Sequence, residues 1–287
     1  MMALHPGVKT TLRILDRSSS QWVLSDGSGD EVLMNASELE EGQEVGEVIE
    51  VFLYRNRQGG ISATPMIPHI LPSVYGWAKV LKVSSREGLV VDIGTTREVY
   101  VLPADLPQFE ELWPKQGDHI FMTLRTDRYG DLYGRLATEE KVQELSMPAP
   151  EEVFNKDLKA RAYRLLPVGS FMLSVPEMYR IFVHETERIE EPRLGEEKTV
   201  RIIGVKEDRT LNGSLLPRKQ ERLTDDAEMI LSYLNESGGQ MPFTDKSTPD
   251  EIQEIFGMSK AAFKRALGRL YKERRIVQEE GWTKLIG

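Results

Sequence analysis

Cysteine is absent from the 287-residue sequence, which excludes disulfides, thiolate catalysis, iron–sulfur clusters and cysteine-ligated zinc together. Histidine is scarce. His5, His69, His119 and His184 stand far apart, without the i, i+4 spacing that sets two imidazoles on one helical face, so neither a metal site nor a cofactor is expected. No apolar run approaches the roughly 20 residues of a membrane-spanning helix. The start, Met1-Met2-Ala3-Leu4-His5-Pro6, lacks the charged segment and apolar core of an export signal, and a cytoplasmic protein without membrane contact is expected. There is no Gly-rich phosphate loop followed by Lys and Ser or Thr, and adjacent carboxylates such as Asp225-Asp226 and Glu110-Glu111 fit helix starts or solvated loops. Nothing here assembles the chemistry of an enzyme.

What is present is charge, unevenly spread. The formal net charge is −9, yet between Ser259 and Arg275 stand Lys260, Lys264, Arg265, Arg269, Lys272, Arg274 and Arg275 against Glu273 alone. A positive stripe kept on a chain that otherwise repels polyanions points to a localised contact with nucleic acid; a solvated helix face is the plainer reading.

The length and the 40% apolar fraction allow two to four packed domains. Before residue 220, short apolar or alternating runs separated by Gly, Ser, Asp and Pro read as strands joined by turns. Three weakly similar units emerge, each ending in a hairpin: Val48–Tyr54 with Gly60–Thr64, Ile120–Leu124 with Leu132–Leu136, and Thr199–Val205 with Leu211–Leu216. A Gly-containing bend precedes each hairpin, at Glu41-Gly42, Gln116-Gly117-Asp118 and Leu194-Gly195-Glu196. Units of this size and order suit five-stranded OB barrels, whose second and third strands present a binding face.

After residue 220 the period becomes helical. Thr224 or Asp225 can cap a helix with Ile230, Leu231 and Leu234 on one stripe, ended by Gly238-Gly239. Thr248-Pro249-Asp250-Glu251 opens a second, short helix that stops at Gly257, and Ser259 caps a third with Phe263, Ala266, Leu267 and Leu270 on one side. This is helix-turn-helix spacing, and residues 275–286 read as a final hairpin, the wing, with its turn at Glu280-Gly281. The expected architecture is therefore mainly β with a C-terminal α+β domain: OB barrels over residues 1–66, 67–146 and 147–219, then a winged helix over 220–287.

Tyr179-Arg180-Ile181-Phe182-Val183-His184-Glu185-Thr186-Glu187 resembles the strand and turn after the binding strands in the RNA-binding domain of small-subunit ribosomal protein one. Val32-Leu33-Met34-Asn35-Ala36-Ser37-Glu38-Leu39 is a fainter echo of it. With Phe256-Gly257-Met258-Ser259-Lys260 and the segment Phe263 to Lys272, nearly the whole chain is similar to the conserved virulence factor B family of bacteria. The resemblance implies RNA as the ligand and post-transcriptional regulation as the role. Where that domain family commonly carries two aromatics at the start of the second strand, this chain has Glu87 with Val90 and Val168 with Phe171, so only Phe171 keeps a ring. His184 matches the family's histidine in the third unit, Asn35 replaces it in the first, and the second unit matches poorly.

Single-stranded RNA is held by exposed rings that stack on bases and by cations that neutralise phosphates. On that basis Phe171 and His184, with Arg164 as phosphate partner, form the first candidate set, although Phe171 reads equally well as a core ring. Trp77 and Lys79 alternate on one strand; Trp77 is as readily a core residue. Tyr100, Tyr129 with Arg128, and Trp22 are further candidates, weighed against rings that merely cover a barrel end. The expected partner is single-stranded RNA. Duplex DNA, bound by the winged helix of a transcription regulator, is the rival, and a protein-docking winged helix the third reading; the basic helix offers few Asn, Gln or Ser groups for reading base edges.

Overall fold

A computed structural model describes residues 4–38, 42–56, 58–95 and 97–286, with the side chains of 219–224 outside the description. The chain divides into two compact units, Met1–Leu215 and Leu216–Gly287.

The first unit is three closed barrels of the same topology. Barrel one is β1 (Lys9–Arg17), β2 (Gln21–Ser25), β3 (Glu31–Asn35), β4 (Val48–Arg55) and β5 (Ile61–Thr64); barrel two is β6 (Gly76–Ser84), β7 (Gly88–Asp92), β8 (Val99–Val101), β9 (His119–Thr126) and β10 (Leu132–Leu136). A short helix, α1 (Glu139–Leu145), follows. Barrel three is β11 (Asp157–Leu166), β12 (Gly169–Ser174), β13 (Arg180–His184), β14 (Glu197–Val205) and β15 (Leu211–Ser214). In each, the first strand pairs with the second and the fourth, and a parallel pairing of the third with the fifth closes the cylinder. This is the five-stranded OB arrangement.

Alternation builds each core. Leu12, Leu24, Val32, Met34, Val51 and Leu53 point inward in barrel one, and Ala160, Met172, Ile181, Val183, Val200 and Ile202 in barrel three. The first strand of every barrel has one irregular step against its partner, between Ile14 and Asp16, Val80 and Lys82, and Ala162 and Arg164. An extra residue there bends the strand, as closing so small a barrel requires. The parallel contact between third and fifth strands leaves room for little more than a hydrogen: a Cβ on Gly213 would lie 2.4 Å from a Val200 methyl, and one on Gly134 2.7 Å from side chains of Met122 and Val101.

The barrels share apolar surface. Phe52 and Tyr54 of β4 and Leu194 of the third barrel belong to the cluster built on the core of barrel two. Phe121, Val142, Tyr163 and Leu173 form another between barrels two and three, with Val142 supplied by α1. Sequence periodicity does not anticipate α1, whose seven residues carry a single buried side chain.

The second unit is a winged helix: α2 (Lys219–Glu236), β16 (Gln240–Met241), α3 (Pro249–Phe256), α4 (Lys260–Lys272), β17 (Ile276–Glu279) and β18 (Trp282–Leu285), with the strands in the order β16-β18-β17. α2 starts several residues ahead of the expected cap: Asp225 lies inside the helix, and the side chain of Thr224 falls outside the described residues. Thr248 and Glu251 exchange side-chain and backbone hydrogen bonds in a capping box, which holds the Glu251 carboxyl below its ordinary range through the bonds it accepts from Thr248. Gly257 ends α3 in a left-handed turn, φ 64°, and the Ser259 side chain accepts from the Ala262 amide to start α4.

Candidate nucleic-acid interface

Inward residues of β12 and β13 are fixed by the core, so the residues between them face out. Phe171 pairs in register with Phe182 across the two strands, and Gly169 with His184. The outcome is a ladder of rings whose inner end, Tyr163 with Phe171, packs against the cluster between barrels two and three and whose far end, His184, is open to solvent. Tyr163 and Phe171 have centroids 6.1 Å apart, Phe171 and Phe182 4.9 Å, and Phe182 and His184 6.3 Å. Phe182 lies over Gly169, where an added Cβ would come 2.7 Å from the ring; the glycine leaves the space that the ring occupies. Tyr163 is buried, Phe171 and Phe182 are half-buried and His184 is exposed. The Thr186 amide donates to Nδ1 of His184, which leaves Nε2 as the donor of the neutral ring.

Cations flank the ladder. The Arg180 guanidinium lies 5.1 Å from the Phe171 ring centre, and Arg164 is the cross-strand partner of Phe171. Both reach Glu139 at the start of α1, at 2.6 Å from Arg180 and 3.4 Å from Arg164. The Tyr163 hydroxyl also donates to Glu139, at 3.1 Å, and accepts from Arg180. Burial pushes the Tyr163 phenol well above its ordinary value. Burial works against the charge of Arg180, but the Tyr163 hydroxyl and the Glu139 carboxylate hold it above the usual guanidinium value. Arg164 is thus exposed but tethered.

The first candidate set, Phe171, His184 and Arg164, is therefore brought together on one face, while Phe182, Arg180 and Tyr163 join it unanticipated. Period-two alternation from Arg180 through Phe182 to His184 was the signal available for two of them.

The other barrel candidates divide. Trp22 is 3% exposed and faces inward with Leu24, so it is a core residue of barrel one and cannot stack on a base, a correction to its place among the exposed rings. Trp77 is half-buried against Phe121, 5.1 Å away, with the Arg161 guanidinium 5.2 Å from its ring. It packs against the cluster between barrels two and three and keeps part of its surface accessible. Lys79, two residues on, is exposed. Tyr100 is half-buried and aligns with Tyr133 across β8 and β10, at a crevice of 540 Å³ that also takes in Tyr54, Arg55 and Arg97. Tyr129 is 59% exposed, with the guanidinium of Arg128 4.6 Å and that of Arg55 6.0 Å from its ring.

In the second unit, Phe263, Ala266, Leu267 and Leu270 of α4 pack inward, which turns the opposite side to solvent. Lys264, Arg265 and Lys272 are exposed there and Lys260 half-buried. Arg269 is bound to Glu273 at 2.8 Å, and Lys264 stands 3.9 Å from Asp245. Arg274 and Arg275 lie just past the helix end, both exposed. Tyr271, 61% exposed, shares this face; the charge pattern that marks its cationic neighbours in the sequence carries no signal for it.

Ringed barrel faces and an exposed basic helix together define a protein assembled from nucleic-acid-binding domain types, tandem S1-like barrels with a winged helix. The sequence matches the family descriptions "S1 domain" over residues 6–65, "CvfB first S1-like domain" over 75–135, "Virulence regulatory factor CvfB, second domain" over 142–217 and "CvfB-like winged helix domain" over 228–285. It is 47% identical over 273 residues to conserved virulence factor B of Staphylococcus saprophyticus, covering 94% of this chain and 91% of that one. To the protein of the same name from Staphylococcus aureus strain N315 it is 44% identical over 285 residues, covering 96% and 94%. The chain belongs to the conserved virulence factor B family. A crystal structure described as a multidomain protein with nucleic acid binding domains from Streptococcus pneumoniae superposes with a TM-score of 0.68 at 36% identity, covering 98% of both chains.

Proposed function

We propose that the protein is a non-enzymatic, cytoplasmic RNA-binding factor that regulates transcripts by holding single-stranded RNA on barrel three, helped by barrel two and by the basic face of α4. The ring ladder Phe171–Phe182–His184 carries this reading. Unpaired bases offer flat faces to such rings, whereas bases in a duplex do not. Arg180 and Arg164 stand where phosphates between stacked bases would run, and Glu139 competes with a bound strand for both guanidiniums. Several modest contacts on one chain add up through effective concentration.

The rival, duplex DNA in contact with α4, is weakened by its side chains. The outward positions offer Lys, Arg, Ala, Gly and Tyr, none of which is an amide for reading adenine edges. Competition between labelled single-stranded RNA and duplex DNA of the same sequence, repeated at several salt concentrations, tests the proposal. Preference for the single strand and an affinity that falls with salt are expected; preference for the duplex, or no binding, overturns it.

A further inference from the structure

Gly268 occupies the middle of α4 on its exposed side. Glycine is, after proline, the least favourable residue in a helix interior, so its use there calls for a reason. Packing does not give one: a Cβ built on Gly268 meets nothing within 4 Å. A left-handed backbone does not either, since Gly268 lies within regular helix and is not among the positive-φ glycines.

The surroundings suggest what fills the space. At about 100° per residue, Lys264 and Tyr271 flank Gly268 on one side and Arg265 and Lys272 on the other. Two notches open from it, one of 370 Å³ against Lys264, Tyr271 and Gln278 of the wing, the other of 560 Å³ against Arg265, Arg269 and Lys272. Gly268 is common to both. Among the described residues Arg265 and Lys272 make no ion pair.

We infer that Gly268 is a saddle over which a single-stranded RNA backbone crosses α4, its phosphates on Arg265 and Lys272 and an adjacent base stacked on Tyr271. Without a side chain at 268 the ribose-phosphate approaches the helix backbone closely enough for one strand to use both notches. The exposed tyrosine selects an unpaired base, and this assignment rests on the RNA-binding reading above.

Two substitutions in the full chain, Gly268→Ala and Gly268→Leu, test it with opposed readouts. Gly268→Ala should raise the midpoint of thermal unfolding of the winged helix, because helix propensity improves and no contact is lost. Affinity for a fluorescein-labelled, mixed-sequence single-stranded RNA should nevertheless fall, roughly threefold for alanine and tenfold for leucine, the scale of one impaired stacking contact. Undiminished RNA affinity in Gly268→Leu, while loss of the barrel-three rings still weakens binding, overturns the saddle and leaves the barrel reading standing. Absence of RNA binding in the unsubstituted chain overturns both. A larger loss for duplex DNA than for single-stranded RNA overturns the single-strand assignment.

Discussion

Barrels one and three share a topology and an irregular first strand, yet the same register carries opposite chemistry. The cross-strand row Arg164, Phe171, Phe182 and Asn212 in barrel three corresponds to Asp16, Val23, Leu33 and Ser62 in barrel one. A cation and two rings face an acid, two aliphatics and a hydroxyl. Barrel two lies between, with Lys82, Val90, Tyr100 and Tyr133. The residue at the irregular step follows suit: Tyr163 is buried under the ladder, whereas Leu15 and Leu81 are about two-fifths exposed, at 43% and 42%. The closed cylinder is set by inward residues, and the outward row varies without disturbing it, so fold and ligand capacity separate residue by residue.

Four experiments break or sharpen this contrast. The largest effect is expected from Phe171→Ala with Phe182→Ala, which should weaken RNA binding by roughly thirtyfold or more, at about 1–3 kcal/mol for each of the two lost stacks. Val23→Ala with Leu33→Ala in barrel one should change it by less than about twofold, as a half-buried valine and an exposed leucine offer no stack; equal losses in fluorescence anisotropy titrations would erase the distinction. Next, Gly213→Ala should destabilise the first unit by about 1–3 kcal/mol through overpacking, read from urea unfolding, whereas Ala63, at the matching register of barrel one, already holds that methyl within its core. Third, grafting the row onto barrel one with Asp16→Arg and Leu33→Phe should tighten RNA binding by roughly threefold to tenfold, within what one added stack supplies; no gain would mean that more than this row is required. Smallest is Glu139→Gln, which removes the carboxylate shared by Arg180 and Arg164. A gain of about twofold in affinity, with a steeper salt dependence as the freed guanidiniums meet phosphate, is the outcome to check by titration at several salt concentrations.

Much of the fold was legible because alternation and turns act locally. The hairpins that became β4–β5, β9–β10 and β14–β15, and the wing with its turn at Glu280-Gly281, follow from period two and from Gly and Asp at bends. α1 and β16 were not, because a helix with one buried residue and a two-residue strand exist only through what they pack against. The early start of α2 escaped for a related reason: Lys219 to Arg222 supplies no apolar stripe. Site residues were less legible than strands. Alternation says which residues share a face but not which face is outside, so Trp22 could be taken for an exposed ring while it lines a core. Phe182 was visible in the same strand as His184, but its value depends on Gly169 across the sheet, a pairing no local pattern reveals.

Phe52 and Tyr54 leave the first barrel to line the core of the second, and Leu194 does so from the third. Three repeats in the sequence are consequently not three beads on a string. A fragment cut between the first two would bare a greasy socket and clump, and the intact trio should melt in one cooperative step, passing strain at one end to the other.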